Sequence, residues 1–251
     1  MRNLFIFLFS ALVFTSCADS EKDETPWTQL FNEENLDGWT KKGGDAEYRV
    51  ENSAIIGITK HNTPNTFLTT NKDYEDFILE VDFKVHPSMN SGIQIRSNSL
   101  DNYMDGRVHG YQVEIDPSDR AWSGGIYDEA RRGWLVNLGE NPKAQQAFKQ
   151  NEWNTYRIEA IGDTIKTWIN GVPASHLIDD KTSEGFIALQ VHSIGEDAEA
   201  GTEVMWKNIK ILTEDLEKYS KETPLEPVKT KNSLTTAEKD NGWEMLWDGE
   251  T

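Results

Sequence analysis

Cysteine is nearly absent: Cys17 is the only one in 251 residues, so no internal disulfide can brace the fold. Long apolar runs are missing too. The longest, Leu4–Phe14, falls well short of the ~20 residues that a membrane-spanning helix needs. Positive charge is scarce, with 25 Lys and Arg against 43 Asp and Glu and a formal net charge of −18. Such a chain repels phosphate backbones, which excludes nucleic acid as a partner. Helical periodicity is confined to Asn141–Lys149 and Glu214–Ser220, both short.

What is present begins with an export signal. Met1-Arg-Asn is a charged start, Leu4–Phe14 a short apolar stretch, and Thr15-Ser-Cys17 sets small residues before the cysteine. Residues 1–16 are expected to leave as a lipoprotein signal peptide, with lipid attached at Cys17. Their removal takes away Arg2 and makes the chain one unit more negative. Residues 17–26 read as a flexible acidic tether. They resemble the acidic signal that carries some bacterial lipoproteins to the cell surface. The expected location is the cell envelope, at the outer membrane or cell surface, with the membrane reached through the lipid on Cys17.

Residues 27–213 read as one domain, long enough to bury a real core. Strand alternation dominates: Phe77, Leu79, Val81, Phe83 and Val85 alternate with Ile78, Glu80, Asp82 and Lys84. Further strands are expected over 156–160, 164–169, 185–192 and 203–212. Asn170-Gly171 is a strong hairpin signal, because both residues accept positive φ. Many strands, polar turns and few helices predict an all-β, antiparallel two-sheet jelly-roll sandwich. Residues 214–242 read as a short helix and linker. Beyond it, Trp243-Glu-Met-Leu-Trp-Asp-Gly-Glu-Thr251 echoes Trp27-Thr-Gln-Leu-Phe-Asn-Glu-Glu-Asn35. The echo is read as the first strand of a truncated second copy, a tandem partner of the first.

Chemistry-bearing side chains fall at alternate positions. Gln94 and Arg96 share one strand face, opposite Ile93 and Ile95. Gln112, Glu114 and Asp116 alternate with Tyr111, Val113 and Ile115. Glu114 and Asp116 would emerge together, roughly 6–7 Å apart along the strand. Gln190 and His192 share a face in a third strand. The loop from Trp122 to Trp134 gathers Tyr127, Asp128, Glu129, Arg131, Arg132 and Trp134. Each feature alone is compatible with a solvated face or with surface ion pairs. Together they suit sugars: arginine forks and carboxylates grip hydroxyls, and aromatic faces stack on rings.

Several linked motifs then resemble the 3-keto-disaccharide hydrolase domain family, which is concanavalin A-like. They are His109-Gly-Tyr-Gln-Val-Glu-Ile-Asp-Pro117, Ala121-Trp-Ser-Gly-Gly-Ile-Tyr-Asp-Glu-Ala-Arg-Arg-Gly-Trp134, Asn90-Ser-Gly-Ile93, Trp153-Asn-Thr-Tyr-Arg-Ile-Glu-Ala160, Thr167-Trp-Ile-Asn-Gly-Val172 and Phe186-Ile-Ala-Leu-Gln-Val-His192. The opening Phe31…Leu36-Asp-Gly-Trp39 fits as well. The resemblance spans about residues 27–213. It implies a lectin/glucanase-type jelly roll, export from bacteria, frequent tandem copies and action on glycosides oxidised at C3.

A C3 ketone acidifies the C2 proton. A base removes it, an electrophile holds the enolate oxygen, the C1 substituent leaves with help from an acid, and water adds back for net hydrolysis. His192 or Glu114 is the candidate base, Asp116 or Glu114 the acid, and Arg96 or Arg131 the enolate clamp. Gln94, His109, Gln112, Tyr127, Arg131, Arg132, Trp134 and Gln190 are candidate substrate contacts. No contiguous metal motif appears. A divalent cation, Ca²⁺ or a transition ion, held by Glu114, Asp116 and His192 is the alternative electrophile. Two other functions stand beside this one. Glu114-Ile-Asp116-Pro-Ser-Asp119 resembles the paired-carboxylate strand of retaining glucanases, but has Asp119 for Glu and Pro117 interrupting it. The same fold also serves lectin-like modules that hold glycans without chemistry.

Overall fold

Alternating apolar and polar residues build two sheets. The computed structural model describes residues 26–230, 234 and 236–246. In chain order its strands are β1 (Thr28–Gln29), β2 (Trp39–Gly43), β3 (Glu47–Glu51), β4 (Ala54–Ile58), β5 (Thr66–Tyr74), β6 (Phe77–Val85), β7 (Ser91–Asn98) and β8 (His109–Ile115). Then follow β9 (Ile126–Glu129), β10 (Gly133–Val136), β11 (Asn154–Ile161), β12 (Thr164–Ile169), β13 (Val172–Ile178), β14 (Gly185–Val191), β15 (Glu203–Leu212) and β16 (Val228–Lys229). One sheet runs β16-β13-β12-β11-β6-β15-β4-β3, with β1 also on β15; the other runs β10-β9-β8-β7-β14-β5-β2. The β13–β16 pair is parallel, and the other strand pairs are antiparallel. This is the expected two-sheet jelly roll.

The core lies between the sheets. Phe77, Leu79, Val81, Phe83, Tyr156 and Ile158 face Ile93, Ile95, Tyr111, Val113, Ile115 and Leu189, all essentially without exposure. Burying each such side chain contributes about 1.5–3 kcal/mol. At the β12–β13 turn, Asn170 has φ 49° and Gly171 φ 82°, the two-residue hairpin that the dipeptide predicts. Asn170 also ties this turn to the start of β11, accepting from Thr155 N at 2.9 Å. Among the described residues the α-helices are Pro142–Ala147, capped by Asn141, then Leu216–Tyr219 and Thr236–Asp240, and Met104–Gly106 forms a 3-10 turn.

In the seven-stranded sheet, β7, β8 and β14 are buried on both faces. The inner face is apolar. The outer face carries Gln94, Gln112, Glu114 and Gln190, also buried. That polar, water-poor face is the floor of the candidate site.

The segment 214–242 is more than a linker. Arg157 and Glu159 are buried on the nine-stranded sheet and need partners. Lys221 N donates to Glu159 at 3.0 Å, and His176 Nδ1 meets the Leu225 carbonyl at 2.8 Å. β16 then covers the otherwise open edge of β13. Residues 243–246, where the tandem echo begins, form no strand and are exposed. Residues 1–25, which hold Cys17, the signal and all of the tether but Pro26, and residues 247–251 lie outside the described residues.

Candidate functional site

β8 sets the centre of the site. Gln112 and Glu114 point outward from it, away from the core residues Tyr111, Val113 and Ile115. A cleft of about 920 Å³ opens above them, ample for a sugar and its substituent. Around it stand Asn90, Arg120, Tyr127, Trp134, Glu129, Arg107, Asn65 and His192. The residues from Met104 to Val108 complete the mouth.

Glu114 is 5 % exposed. Its Oε1 accepts from Asn90 Nδ2 at 2.5 Å and its Oε2 from Gln112 Nε2 at 2.8 Å. Both donors are neutral amides, and the nearest guanidinium nitrogen, on Arg120, stays 4.0 Å away. Burial therefore dominates and raises the Glu114 pKa; the two amide bonds and Arg120 oppose it, while Asp116 adds to it. Gln112 is fixed in turn, because its Oε1 accepts from Gln94 Nε2 at 2.6 Å and Gln190 Nε2 at 2.9 Å. Gly92 leaves the room this requires, since a Cβ there would lie 2.6 Å from Gln112 Cγ.

Glu129 is the second buried acid of the cleft. Burial raises its pKa as well, against the lowering fields of Arg107 and His192. Arg107 Nη2 is 3.6 Å from it. Asn65 joins this side together, donating to Glu129 Oε1 at 3.5 Å and accepting from Ser193 N at 2.9 Å. His192 Nδ1 faces the Ser193 carbonyl at 2.6 Å. A carbonyl only accepts, so Nδ1 carries the proton and Nε2 is the basic nitrogen.

The aromatic wall comes from the β9–β10 hairpin. Tyr127 and Trp134 are paired across it, with ring centroids 5.3 Å apart. Trp122 meets Trp134 edge-on at 4.8 Å. Arg120 lies over both indoles, at 4.7 and 5.0 Å.

Several sequence candidates sit elsewhere. Arg96 belongs to a β-bulge, with φ 44° and a register shift between Ile95 and Asn98. The extra residue breaks the alternation that would put Arg96 beside Gln94. Its guanidinium instead binds the Glu75 and Gly162 carbonyls, each at 2.7 Å, and Asp76 at 2.8 Å. Arg96 thus clamps loops away from the cleft. Arg131 and Arg132 also turn away, both gripping buried Asp128, with Thr182 and Asp179 as further partners. Their role is to brace the hairpin. His109 packs at a tilt against Tyr103, ring centroids 4.1 Å apart, and does not line the cleft. Gln94 and Gln190 lie beneath Gln112 and do not line the cleft.

Asp116 falls just past β8, because Pro117 ends the ladder. Its oxygens accept from Ser118 N and Oγ, Arg120 Nε and Trp122 N, so neither faces a substrate. Asp119 is exposed on the following turn, outside the cleft lining. The Glu114–Asp119 carboxylate pair of the glucanase reading is therefore not assembled here. The metal set is not assembled either: Asp116 is spent on the turn, and among the described residues no group of three His, Cys, Asp or Glu gathers for an ion.

Sequence reasoning missed Glu129, Asn90, Asn65, Arg107 and Arg120 as site residues. Glu129 had a signal, lying two residues from Tyr127 on the same strand face. Arg107 and Arg120 sit on loops, where no periodicity points.

A jelly roll with an acid- and aromatic-lined cleft across one sheet defines a carbohydrate-related, hydrolase-like domain. The chain belongs to the family described as the 3-keto-alpha-glucoside-1,2-lyase-like domain, whose model matches residues 26–212. Among solved structures it resembles two Parabacteroides distasonis proteins described as glycosyl hydrolases. One has 18% identity and a TM-score of 0.54, covering 75% of this chain and 94% of that one. The other has 19% identity and a TM-score of 0.51, covering 74% and 98%. A Bacillus subtilis protein of galectin-like fold matches at 9% identity and a TM-score of 0.53, covering 71% and 90%. These three likenesses establish the shared fold. No curated protein matches the sequence.

Proposed function

We propose that this domain cleaves 3-keto-glycosides by proton abstraction at C2 and elimination of the C1 substituent. The observation that carries the reading is Glu114: a carboxyl on the cleft floor, fixed by two amides, whose proton affinity burial raises. Such a group is a general acid for a departing glycosidic oxygen. His192 supplies the base across the cleft through Nε2, with Glu129 there to stabilise the imidazolium that forms.

The electron flow balances. The base takes the C2 proton, and the C–H pair becomes the C2=C3 bond of an enolate. The enolate then restores the C3 carbonyl, the C1=C2 bond forms and the C1–O bond breaks. Glu114 protonates the leaving oxygen. The immediate products are the aglycone alcohol and a 1,2-unsaturated 3-keto sugar, to which water adds for net hydrolysis. Tyr127 and Trp134 shape the sugar or aglycone subsite.

The test is incubation of purified protein with 3-keto-glucosides and with their 3-hydroxy parents, with product analysis. Release of aglycone only from the keto sugars is expected. E114Q and H192A should each lower turnover by about 100-fold or more. Binding of glycans without turnover of any 3-keto-glycoside would instead make this a lectin-like module. The proposed setting is the cell envelope, with the chain exported and anchored by lipid at Cys17.

A further inference from the structure

We infer that Arg120 is the electrophile that takes up the enolate charge, and that Asp116 is the residue that positions it. The inference rests on the elimination reading of the same cleft and assigns its third necessary group. An enolate oxygen needs donors fixed before the charge develops.

Arg120 satisfies that need. Its Nε donates to Asp116 Oδ2 at 2.7 Å. Its plane lies against Trp122 and Trp134, which limits where the fork can swing. Nη1 and Nη2 make no hydrogen bond to the described residues, yet Nη2 is 4.0 Å from Glu114 Oε1. The two free N–H edges therefore enter the cleft beside the acid, where the sugar's C1–C3 edge must lie for Glu114 to protonate the leaving group. A guanidinium donates and never accepts, so it matches a carbonyl oxygen becoming an oxyanion.

Asp116 acts through Arg120. It is 2 % exposed, and its carboxylate gathers the whole turn, accepting from Ser118, Arg120 and Trp122. Arg107 is the other guanidinium of the cleft, but it is directed at Glu129 and is more exposed. Loss of Arg120 would also remove a field that lowers the Glu114 pKa.

The experiment measures two steps on one 3-keto-glucoside with full-length protein. Exchange of the C2 hydrogen with deuterated solvent reports enolate formation; aglycone release reports elimination. R120Q should lower both by about 100-fold with KM changed no more than about threefold, and should move the high-pH limb of the rate profile upward. E114Q should keep exchange and lose release. Free guanidinium should restore exchange to R120G. D116N should lose exchange about tenfold, and D116N/R120Q should be no worse than R120Q alone, since the aspartate acts only through the arginine. Wild-type exchange retained by R120Q, a larger loss in R107Q, or additive losses in the double variant would overturn the assignment. Wild-type protein inert toward every 3-keto-glucoside would instead overturn the elimination reading itself.

Discussion

Glu114 is held where a carboxylate is least comfortable. Burial raises its pKa, and neutral amides only partly offset that cost. The consequence for stability has a definite sign. A carboxyl with a raised folded pKa binds more protons in the native state than in the unfolded one. Stability is therefore full below the ordinary glutamate value and falls as pH rises through the folded pKa. Each tenfold rise in proton affinity is worth about 1.4 kcal/mol. E114Q removes this penalty, and Asn90, which makes no other side-chain bond among the described residues, can turn its amide to meet the new group. The variant should melt higher than wild type at pH 8 and equally at pH 4, by calorimetry. An equal difference at both pH values would show that Glu114 ionisation contributes nothing.

At the scale of elements, the bulge at Arg96 separates what alternation can reveal from what it cannot. The face shared by Gln94, Gln112, Glu114 and Gln190 was legible, because β7, β8 and β14 keep their period up to that point. A one-residue insertion leaves no mark on periodicity, so Arg96 was misplaced. The marks it does leave are glycines on the flanking strands. Gly185 has φ 157°, and a Cβ there would sit 2.6 Å from Ser97 N; one on Gly110 would sit 2.7 Å from Ser97 Cα. Backbone cannot yield to such a contact. G185A should cost about 3 kcal/mol in urea unfolding, at the upper end for overpacking.

The β9–β10 hairpin depends on a second local device. Burial opposes ionisation of Asp179, but its bonds to Arg132 and Tyr111 win and hold its pKa at about 2. A lowered carboxyl pKa stabilises the fold above the ordinary aspartate value, and that stability is lost as pH falls toward 2. D179N should therefore cost about 2 kcal/mol at pH 7 and little at pH 2. Hydrogen exchange should rise across residues 126–136, since Asp179 anchors the arginine that grips Asp128. Unchanged exchange there would separate the carboxylate from the cleft wall.

For the whole molecule, the question is what could hold it at a membrane. Among the described residues no helix is long and apolar enough to cross one. The net charge of −18 sets the polypeptide against anionic lipid headgroups. The proposed attachment is through the amino-terminal segment. Leu4–Phe14 can deliver the chain to export, and Cys17 is the one residue able to receive a thioether-linked lipid. On that proposal a single substitution should have an all-or-none effect. Cys17→Ala is expected to move the protein from the membrane fraction to the soluble or unprocessed pool while its cleft remains intact. Retention of the variant in membranes after a high-salt wash, with the signal cleaved, would show that another feature anchors it. A salt-sensitive attachment would point to a protein partner on the acidic surface.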